Sequence, residues 1–493
     1  MNVLMIYPEF PDTYWSFKHA LPIEGKKSAY PPLGLLTVAS MLPKDWKKKL
    51  IDTNVHKLSD SDLKWADTAM ISGMIVHRQE VLDILRRCRA RGLRTVVGGP
   101  IANSVSELPQ HADSVVYGEA ESLIPELVAD LNRDSLQPSY KAVELPGLHG
   151  TPAPDLSLIN TRHYSAMPVQ YSRGCPFNCE FCDIIEIYGR VPRTKTPAQI
   201  IAELDQLYDR KWRGSVFIVD DNFIGNKRKA KELLAVLAEW NQRRRRPFSF
   251  FTEASVNLAD DTELLQMMKD ANFTRVFMGI ETPVEASLKE AQKMQNTRKN
   301  LVESVHRVQD YGLEVMAGFI VGFDNDPEDI FDRQVEFIHE SAIPLAMVGI
   351  LLALPGTQLF RRLTKEGRIL DEGHGNNMDL RLNFIPKMNS QKLIQGYRDI
   401  LRRIYTPDAY YERALRFLER YNHPNHRPRV FSDYLAVARS FVRQGVLSES
   451  RSSYWKYVVK AAVKYRTQFD TAMTLAVMGY HFQMLTRMIL ESE

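Results

Sequence analysis

The sequence has few cysteines, little excess charge and no long apolar run. Its 493 residues include four cysteines, which excludes a small domain held together by several disulfides. The 64 Lys and Arg residues nearly balance the 60 Asp and Glu residues, and the formal net charge is +4. Such a balance gives no general affinity for nucleic acid, so we expect no nucleic-acid partner.

No segment is long enough to cross a membrane. The longest apolar run, Ile343 to Pro355, has about a dozen residues, whereas a membrane-spanning helix needs about 20. The apolar run after Met1 is too short for a secretory signal, and no basic residues precede it. We therefore expect a cytoplasmic protein, in a reducing compartment where cysteines act as ligands.

The rest of the composition is that of a large globular protein. Apolar residues make up 44% and charged residues 25% of the chain, so it can bury a substantial core. At roughly 150 residues per domain, the length predicts about three domains.

Residues 1–132 alternate short apolar runs, such as Val3–Tyr7, with amphipathic segments. Strands separated by helices predict a parallel, Rossmann-like sheet. Glycines follow two of these strands, at Gly98, Gly99 and Gly118. They predict open loops at the carboxyl edge of the sheet, where ligands bind in folds of this kind.

Residues 133–168 are rich in proline and glycine and are predicted to be a linker. Residues 169–358 then contain six further strand candidates separated by helical segments. The candidates are Val169–Arg173, Ser215–Asp221, Phe248–Ser255, Arg275–Glu281, Glu314–Phe323 and Leu345–Leu354. Six units predict a partial (β/α)6 barrel, because a closed barrel of the usual kind has eight. Residues 359–493 show no strand pattern and are predicted to form a helical domain.

Three of the four cysteines form a cluster, Cys175-x3-Cys179-x2-Cys182. Three thiolates in one short loop suit a soft metal or an iron–sulfur cluster. A structural zinc ion would need a fourth ligand, and the remaining cysteine, Cys88, lies in the predicted first domain. Zinc and three unrelated core thiols are the alternatives. A [4Fe–4S] cluster usually has four cysteines, so three would leave one iron open to a small molecule.

This spacing after a first barrel strand, with Phe181 before the last cysteine, resembles the signature of the radical S-adenosylmethionine (SAM) enzymes. The resemblance implies that Cys175, Cys179 and Cys182 hold a [4Fe–4S] cluster whose open iron binds SAM. It also implies that one-electron reduction cleaves SAM to methionine and a 5′-deoxyadenosyl radical. An electron donor such as ferredoxin or flavodoxin is then an expected partner.

Polar residues and a glycine at the following strands are candidates for SAM contacts. Barrel active sites form at the carboxyl ends of strands. The resemblance implies SAM contacts at Asp221, Glu253 and Glu281, and places Gly322 in the strand beside the adenine. Asp220 and Asp221 point to opposite faces of a strand, so only one is expected to face the site. A solvated or structural carboxylate is the alternative for each acid.

The first domain lacks the dinucleotide fingerprint G-x-G-x-x-G. Its segments Gly98–Pro100 and Gly118–Glu121 instead resemble the ligand loops of cobalamin-binding domains, which are found in front of radical SAM barrels. The resemblance implies cobalamin contacts from these loops. The contacts are Gly98, Gly99, Gly118 and Glu119, with Ser72 facing the lower side of cobalt.

The cobalt-ligating motif of many cobalamin domains, D-x-H-x-x-G, is also absent. Asp52-Thr53-Asn54-Val55-His56 has a different spacing and no glycine. We therefore expect cobalamin to bind without His56. A Rossmann-like module that binds no cofactor is the alternative.

Three longer runs resemble the hopanoid C-2 methylase group, which also has a helical C-terminal extension. The runs are Cys182–Lys195, Asp220–Lys227 and Thr252–Leu258. This resemblance implies a cobalamin-dependent methyltransferase acting on an unactivated carbon of an apolar small-molecule or lipid substrate, a hopanoid at C-2.

Two other functions remain open. One is a radical SAM enzyme acting on a tetrapyrrole or another lipid, with or without methyl transfer. The other is a non-enzymatic iron–sulfur electron carrier, against which the three-cysteine motif argues because a carrier needs no open iron. Formation of S-adenosylhomocysteine beside 5′-deoxyadenosine distinguishes a methylase from a radical SAM enzyme without methyl transfer and from an electron carrier.

Two basic segments are candidates for peripheral membrane contact. From Tyr454 to Leu490, aromatic and aliphatic residues are mixed with Lys and Arg, as in helices that lie on a membrane surface. Ordinary helical packing with a charged outer face is the alternative. Arg243–Arg246 is interpreted as a solvated helix end, with lipid headgroup contact as the alternative.

Overall fold

The computed structural model describes residues 1–422 and 430–492. Within them, two six-stranded parallel sheets follow one another along the chain, and helices make up the C-terminal region. This arrangement confirms the predicted α/β fold class, with a Rossmann-like sheet, a partial (β/α)6 barrel and a helical extension.

The first sheet has the strand order β2-β1-β3-β4-β5-β6. Its strands are β1 (Asn2–Tyr7), β2 (Lys47–Asp52), β3 (Thr68–Ser72), β4 (Arg94–Gly98), β5 (Ser114–Tyr117) and β6 (Ser139–Lys141). Its helices are α1 (Leu21–Glu24), α2 (Leu33–Met41), α3 (Asp60–Trp65), α4 (Arg78–Arg89), α5 (Ile101–Ser104), α6 (Leu108–His111) and α7 (Ile124–Arg133). The apolar face of α4, which includes Cys88, is buried against the sheet.

Strand β6 lies inside the stretch 133–168 that was predicted to be a linker. It pairs in parallel with β5, from Val115 opposite Ser139 to Tyr117 opposite Lys141. Only Tyr140 of its three residues is buried, so the strand carries almost no apolar pattern for sequence analysis to detect.

The second sheet has the order β14-β13-β12-β11-β10-β7, and β8 pairs with β9 in a separate antiparallel ribbon. The strands are β7 (Ala166–Val169), β8 (Ser172–Arg173), β9 (Arg193–Thr194), β10 (Ser215–Ile218), β11 (Ser249–Glu253), β12 (Phe273–Glu281), β13 (Glu314–Val321) and β14 (Leu345–Ile350). The helices are α8 (Ile184–Ile187), α9 (Pro197–Asp209), α10 (Lys227–Arg243), α11 (Thr262–Asp270), α12 (Glu285–Glu290), α13 (Leu301–Asp310) and α14 (Ile330–Glu340).

The gap between the edge strands β7 and β14 is filled by residues 14–30, which we call the closing segment. The Tyr14 hydroxyl donates to the Val348 carbonyl of β14 at 3.0 Å. At the other edge, the Ala166 amide of β7 donates to the Ala29 carbonyl at 3.0 Å. A closed barrel has eight strands, and this one has six. Side-chain and loop contacts of the closing segment take the place of the other two strands, and such contacts leave no periodic pattern in the sequence.

The C-terminal helices hold the closing segment in place. They are α15 (Gln358–Lys365), α16 (Ser390–Tyr405), α17 (Pro407–Arg420), α18 (Phe431–Gly445), α19 (Arg451–Lys464) and α20 (Phe469–Glu491). On α20, Phe482 stacks on Tyr14 with a centroid separation of 5.1 Å, and His481 contacts the Thr13 and Tyr14 carbonyls. Among the described helices, none combines the length and the apolar character needed to cross a bilayer.

Candidate functional site

The three clustered cysteines lie in the loop between β8 and α8, beyond the carboxyl end of β7. Cys179 is buried, while Cys175 and Cys182 are half-buried. The Cys175 amide donates to the Gly189 carbonyl at 3.2 Å, which ties the loop to the segment before β9. The β8–β9 ribbon thus anchors both ends of the cysteine loop.

Gly174, directly before Cys175, makes the close approach of these segments possible. Its φ of +94° lies in the region that glycine tolerates best, and its amide donates to the Asp221 carboxylate at 2.9 Å. A Cβ at this position would lie 2.9, 3.0 and 3.1 Å from the carbonyl oxygens of Gly189, Tyr188 and Val191. No larger residue fits here without moving the loop.

The donor set fits a three-cysteine iron–sulfur cluster. Within residues 1–422 and 430–492, no group of three His, Cys, Asp or Glu side chains is arranged to hold a single metal ion. The Asn222 amide nitrogen lies 3.8 Å from the Cys175 sulfur, and the Gln295 amide nitrogen lies 3.6 Å from the Cys179 sulfur. Hydrogen bonds to cysteine sulfurs tune the potential of iron–sulfur clusters.

Glu180 ties the cysteine loop to the rest of the barrel. Its amide donates to the Ala291 carbonyl at 3.0 Å, and its own carbonyl accepts from the Leu359 amide at 2.9 Å. Its carboxylate accepts from Arg362 of α15 at 2.5 Å. The loop is therefore fixed by α15 as well as by the strands.

Asp220 and Asp221 both face the segment that leads into the cysteine loop. The Asp220 carboxylate accepts from the Tyr171 amide at 2.7 Å and from the Ser172 amide at 2.9 Å. Asp221 accepts from the Gly174 amide instead. Burial raises the pKa of Asp220 to about 7 and that of Asp221 to about 6. Both carboxylates thus bind amides of the stretch from Tyr171 to Gly174, and the expectation that only one of the two faces the SAM site stays a prediction.

Glu253, at the end of β11, is the carboxylate most available to a ligand. Within the described part of the chain, its half-buried carboxylate makes no hydrogen bond or ion pair. Burial and the charges of Asp221 and Asp220 raise its pKa to about 8. A hydrogen-bond donor or a cation bound here would stabilise the ionised form.

Asn222 and Ser255 lie beside Glu253 and were not identified from the sequence. The Asn222 amide donates to the Ser255 hydroxyl at 3.2 Å, which in turn donates to the Asn257 side chain at 2.5 Å. Asn222 is thus held by a second strand-end residue while it faces Cys175. Its place directly after the predicted Asp221 was the signal available in the sequence.

Glu281 is buried at the end of β12 and is already paired. Its φ is +64°, and its carboxylate accepts from the Lys293 ammonium at 2.5 Å. Although burial opposes it, the charge of Glu281 raises the pKa of Lys293. Lys293, which lies over the Phe181 ring at 5.9 Å, was missed because neighbouring lysines and acids are common in any sequence. The SAM contact of Glu281 stays a prediction.

Gly322 lies just beyond β13 and has a φ of +107°. A Cβ there would meet Leu393 of α16 at 3.1 Å, so the open side of this glycine faces the C-terminal helices. Gly318 is the glycine of β13 whose open side faces Phe277 and Glu281. The role of Gly322 beside SAM also stays a prediction.

Four of the residues predicted to contact cobalamin meet at the carboxyl edge of the first sheet. Gly99 has a φ of +82°, and a Cβ there would overlap the Ser72 hydroxyl. Gly98 ends β4 and Gly118 comes directly after β5, so both lie at the same edge of the sheet, and Gly118 has a φ of +90°. Gly99 therefore lets the loops after β3 and β4 lie close together, and the three glycines leave backbone rather than side chains at this edge.

The histidines near this edge are not placed as free ligands. His56 is exposed. His77 is buried, and burial lowers its pKa to about 4. Its Nδ1 accepts from the Met74 amide at 3.0 Å, so the proton of the neutral ring is on Nε2, which is buried without a hydrogen-bond partner in the described part of the chain. The centroids of the His77 and Phe10 rings are 4.3 Å apart.

Glu119, the remaining predicted cobalamin contact, joins the first sheet to the cysteine loop. Its side chain is 1% exposed and forms ion pairs of 2.5 Å with both Arg173 and Arg193. Glu121 also pairs with Arg173, at 2.8 Å. Because Arg173 is two residues before Cys175, these ion pairs connect the two predicted cofactor sites. Both oxygens of the Glu119 carboxylate are therefore already paired with arginines.

Replacing Glu119 with alanine is expected to destabilise the protein by about 3–5 kcal/mol, because the largely buried Arg193 loses its carboxylate partner and Arg173 loses one of two. A lowered thermal unfolding midpoint would show this loss. Replacing the exposed Glu144 with alanine is the matched control and should leave the midpoint unchanged. An equal midpoint for the Glu119 variant and the wild type would contradict the prediction.

A partial parallel barrel with three cysteines in a loop after its first strand defines a radical SAM enzyme. A model of the radical SAM superfamily matches residues 169–338. A model of a domain of unknown function (DUF4070) matches residues 357–493.

Two relatives match over nearly the whole chain. An uncharacterized methyltransferase of Synechocystis is 42% identical, over 98% of this chain and 91% of its own. The hopanoid C-2 methylase of Rhodopseudomonas palustris is 32% identical, over 99% of this chain and 94% of its own. This protein belongs to the radical SAM methyltransferase family that includes the hopanoid C-2 methylase.

A solved structure shares the fold. It is the cobalamin-dependent SAM radical enzyme OxsB with aqua-cobalamin and SAM bound, which aligns with a TM-score of 0.63. The alignment covers 99% of this chain and 79% of that one, at 15% identity.

Proposed function

We propose that this protein is a cobalamin-dependent C-methyltransferase whose substrate is a hopanoid, methylated at C-2. The observation that supports it most is the 32% identity to a hopanoid C-2 methylase across both chains, C-terminal region included. A relative restricted to the barrel would support only the chemistry, whereas a full-length match extends to the regions that shape a substrate site.

Cys175, Cys179 and Cys182 would hold a [4Fe–4S] cluster, with Asn222 and Gln295 donating to two of their sulfurs. When bound, the cluster supplies the electron that cleaves SAM, and cobalamin carries the methyl group. The protein keeps the cysteines in place through Gly174, Glu180 and the β8–β9 ribbon. A one-electron donor of the ferredoxin or flavodoxin class is part of this proposal.

SAM would lie between the cysteine loop and the strand ends of β10, β11 and β12. We assign Glu253 to accept hydrogen bonds from the hydroxyl or ammonium groups of SAM. The pKa of this carboxylate is raised to about 8, and it would gain a partner when SAM binds. Asp221 has one oxygen on the Gly174 amide, which leaves the other for SAM. Glu281 is assigned to the same ligand through the oxygen that does not face Lys293.

Cobalamin would lie on the carboxyl edge of the first sheet, against Ser72, Gly98, Gly99 and Gly118. The backbone-lined edge suits a large, flat ligand because no side chains project from the glycines. Glu119 would act on this site indirectly, by holding Arg173 and so the cysteine loop beneath it.

The interior of the barrel supports an apolar substrate. Phe217 and Phe251 stack at a centroid distance of 4.5 Å, and Trp15 lies 5.2 Å from Phe277. Tyr30 lies 5.3 Å from Phe217. Trp15 and Tyr30 also line a cavity of about 260 Å³ that reaches Phe10, and its remaining lining includes the charged side chains Glu9, Lys18 and Lys27. Aromatic walls favour burial of hydrocarbon over binding of a charged substrate.

The proposal is tested in a host that makes hopanoids but no methylated ones. Expression of this chain should produce hopanoids heavier by one CH2, seen by mass spectrometry, while the Cys175→Ala variant should produce none. The purified protein should form S-adenosylhomocysteine as well as 5′-deoxyadenosine. Formation of both without methylated hopanoids would overturn the substrate and redirect the search to tetrapyrroles and other lipids. Formation of 5′-deoxyadenosine alone would overturn methyl transfer.

A further inference from the structure

Exposed apolar side chains are concentrated in one part of the C-terminal region. Within residues 1–422 and 430–492, 18 large apolar side chains are exposed, and nine of them lie between residues 431 and 463. They are Phe431, Tyr434, Leu435, Val442, Val446, Leu447, Trp455, Val459 and Val463. Helix α20, by contrast, buries most of its apolar residues, so the predicted membrane segment from Tyr454 to Leu490 is core over much of its length.

These side chains form stripes on two neighbouring helices. On α19, Trp455, Val459 and Val463 recur every four residues, which places them on one helical face. On α18, Phe431, Tyr434, Leu435 and Val442 follow a similar period. The Trp455 ring packs at 5.3 Å from Phe441, and its nitrogen donates to the Gly445 carbonyl at 2.9 Å. We call residues 431–464 the α18–α19 hairpin.

The same hairpin is strongly basic. Residues 431–464 contain six Lys and Arg residues and two acids, and this excess of four positive charges equals the net charge of +4 on the whole chain. Lys456 and Lys460 flank Val459 and are exposed with it. One turn of α19 therefore exposes the apolar side chain of Val459 beside the ammonium groups of Lys456 and Lys460.

The hairpin lies next to the closing segment. Arg439 of α18 donates to the Ile23 carbonyl at 3.3 Å, and α18 packs along α1. The closing segment in turn lines the cavity bounded by Trp15 and Tyr30. The hairpin therefore adjoins the segment that lines this cavity.

We propose that the α18–α19 hairpin docks on the surface of an anionic lipid bilayer. Apolar side chains would enter the headgroup region while the lysines and arginines meet anionic headgroups. The helices lie on the bilayer and do not cross it. The proposal rests on the proposed function in one respect, since a membrane lipid as substrate explains why the hairpin adjoins the closing segment.

A second copy of this chain is the competing occupant of the same face. Two such hairpins facing each other would bring together two surfaces with the same excess of positive charge, which opposes association. An anionic bilayer removes this repulsion. The charge therefore favours lipid.

The test is flotation of the full-length protein with vesicles of phosphatidylcholine alone or with added phosphatidylglycerol. The wild type should float with the anionic vesicles, and the double variant Val459→Glu, Val463→Glu should bind them at least about tenfold more weakly. Leu447→Glu, at a separate exposed position, should weaken binding in the same direction. Lys456→Gln with Lys460→Gln should lower the preference for anionic vesicles. Val236→Glu, on α10 of the barrel, is the matched control and should bind as the wild type does.

The proposal would be overturned if the wild type did not float with anionic vesicles, or if the Val459→Glu, Val463→Glu variant floated as well as the wild type. It would also be overturned if the wild type were a dimer in lipid-free solution and this variant were a monomer. SAM cleavage by the cluster-loaded protein without vesicles keeps the two proposals apart. Cleavage without vesicle binding refutes docking alone, and vesicle binding without cleavage refutes the proposed function alone. The variant should cleave SAM at the wild-type rate in this assay, which also shows that it is folded.

Discussion

Cleavage of SAM by the anaerobically reconstituted protein is expected to fall to the uncatalysed background when Cys175, Cys179 or Cys182 is replaced by alanine. Each cysteine is assigned one iron of the cluster, and loss of a ligand removes the group that delivers the electron. The measurement is the rate of 5′-deoxyadenosine formation with a chemical reductant, together with the iron and sulfide content of the protein.

Cys88→Ala is the matched control. Cys88 is fully buried on α4 in the first domain and is expected to be a packing residue, so its variant should keep both cluster and activity. Wild-type cluster content in any of the three loop variants would contradict the assignment of that cysteine. Loss of the cluster in the Cys88 variant would show that the fourth cysteine also matters.

Gly174→Ala is expected to lower the rate of SAM cleavage by about 100-fold or more. A Cβ would come within 2.9 to 3.1 Å of three backbone carbonyl oxygens, and the φ of +94° is strained for alanine. The loop relieves the overlap only by moving Cys175 away from the Gly189 carbonyl. Displacements of about 1 Å in a catalytic site cause rate losses of this size.

Gly147→Ala is the control for this substitution. Gly147 has a φ of −68°, and a Cβ there would contact nothing within 4 Å. Its variant should have wild-type activity and cluster content. Wild-type activity in the Gly174 variant would show that the loop adjusts without cost, and would contradict the rigidity that the surrounding hydrogen bonds imply.

The sequence predicted the barrel strands well where apolar runs are continuous. β10 and β13 begin at the predicted residues, Ser215 and Glu314, and β14 begins at the predicted Leu345. The first barrel strand was misplaced. It is Ala166–Val169, because the residues after it leave the sheet and donate their amides to Asp220 instead of to a neighbouring strand. Side-chain acceptors of this kind leave no periodic pattern.

The cysteine loop was the part of the site most accessible to sequence analysis, because three ligands lie within eight residues. Glu253 was identified from its place at a strand end. Glu119 and Glu281 were also identified, yet their ion pairs to Arg173, Arg193 and Lys293 were not. Those partners are 12 to 74 residues away in the chain, and only folding selects them among the 64 basic residues.

By itself, the sequence determined the fold class, the three-cysteine motif and the family, since each depends on local patterns or on spacing within a short segment. The tertiary structure alone decided how the barrel is closed, which carboxylates are committed to ion pairs, and which apolar side chains stay outside the core. The physical reason is the same in each case. Burial and pairing depend on which distant segments meet, and a residue such as Val459 has the same sequence signal whether it faces a core, a partner or a membrane.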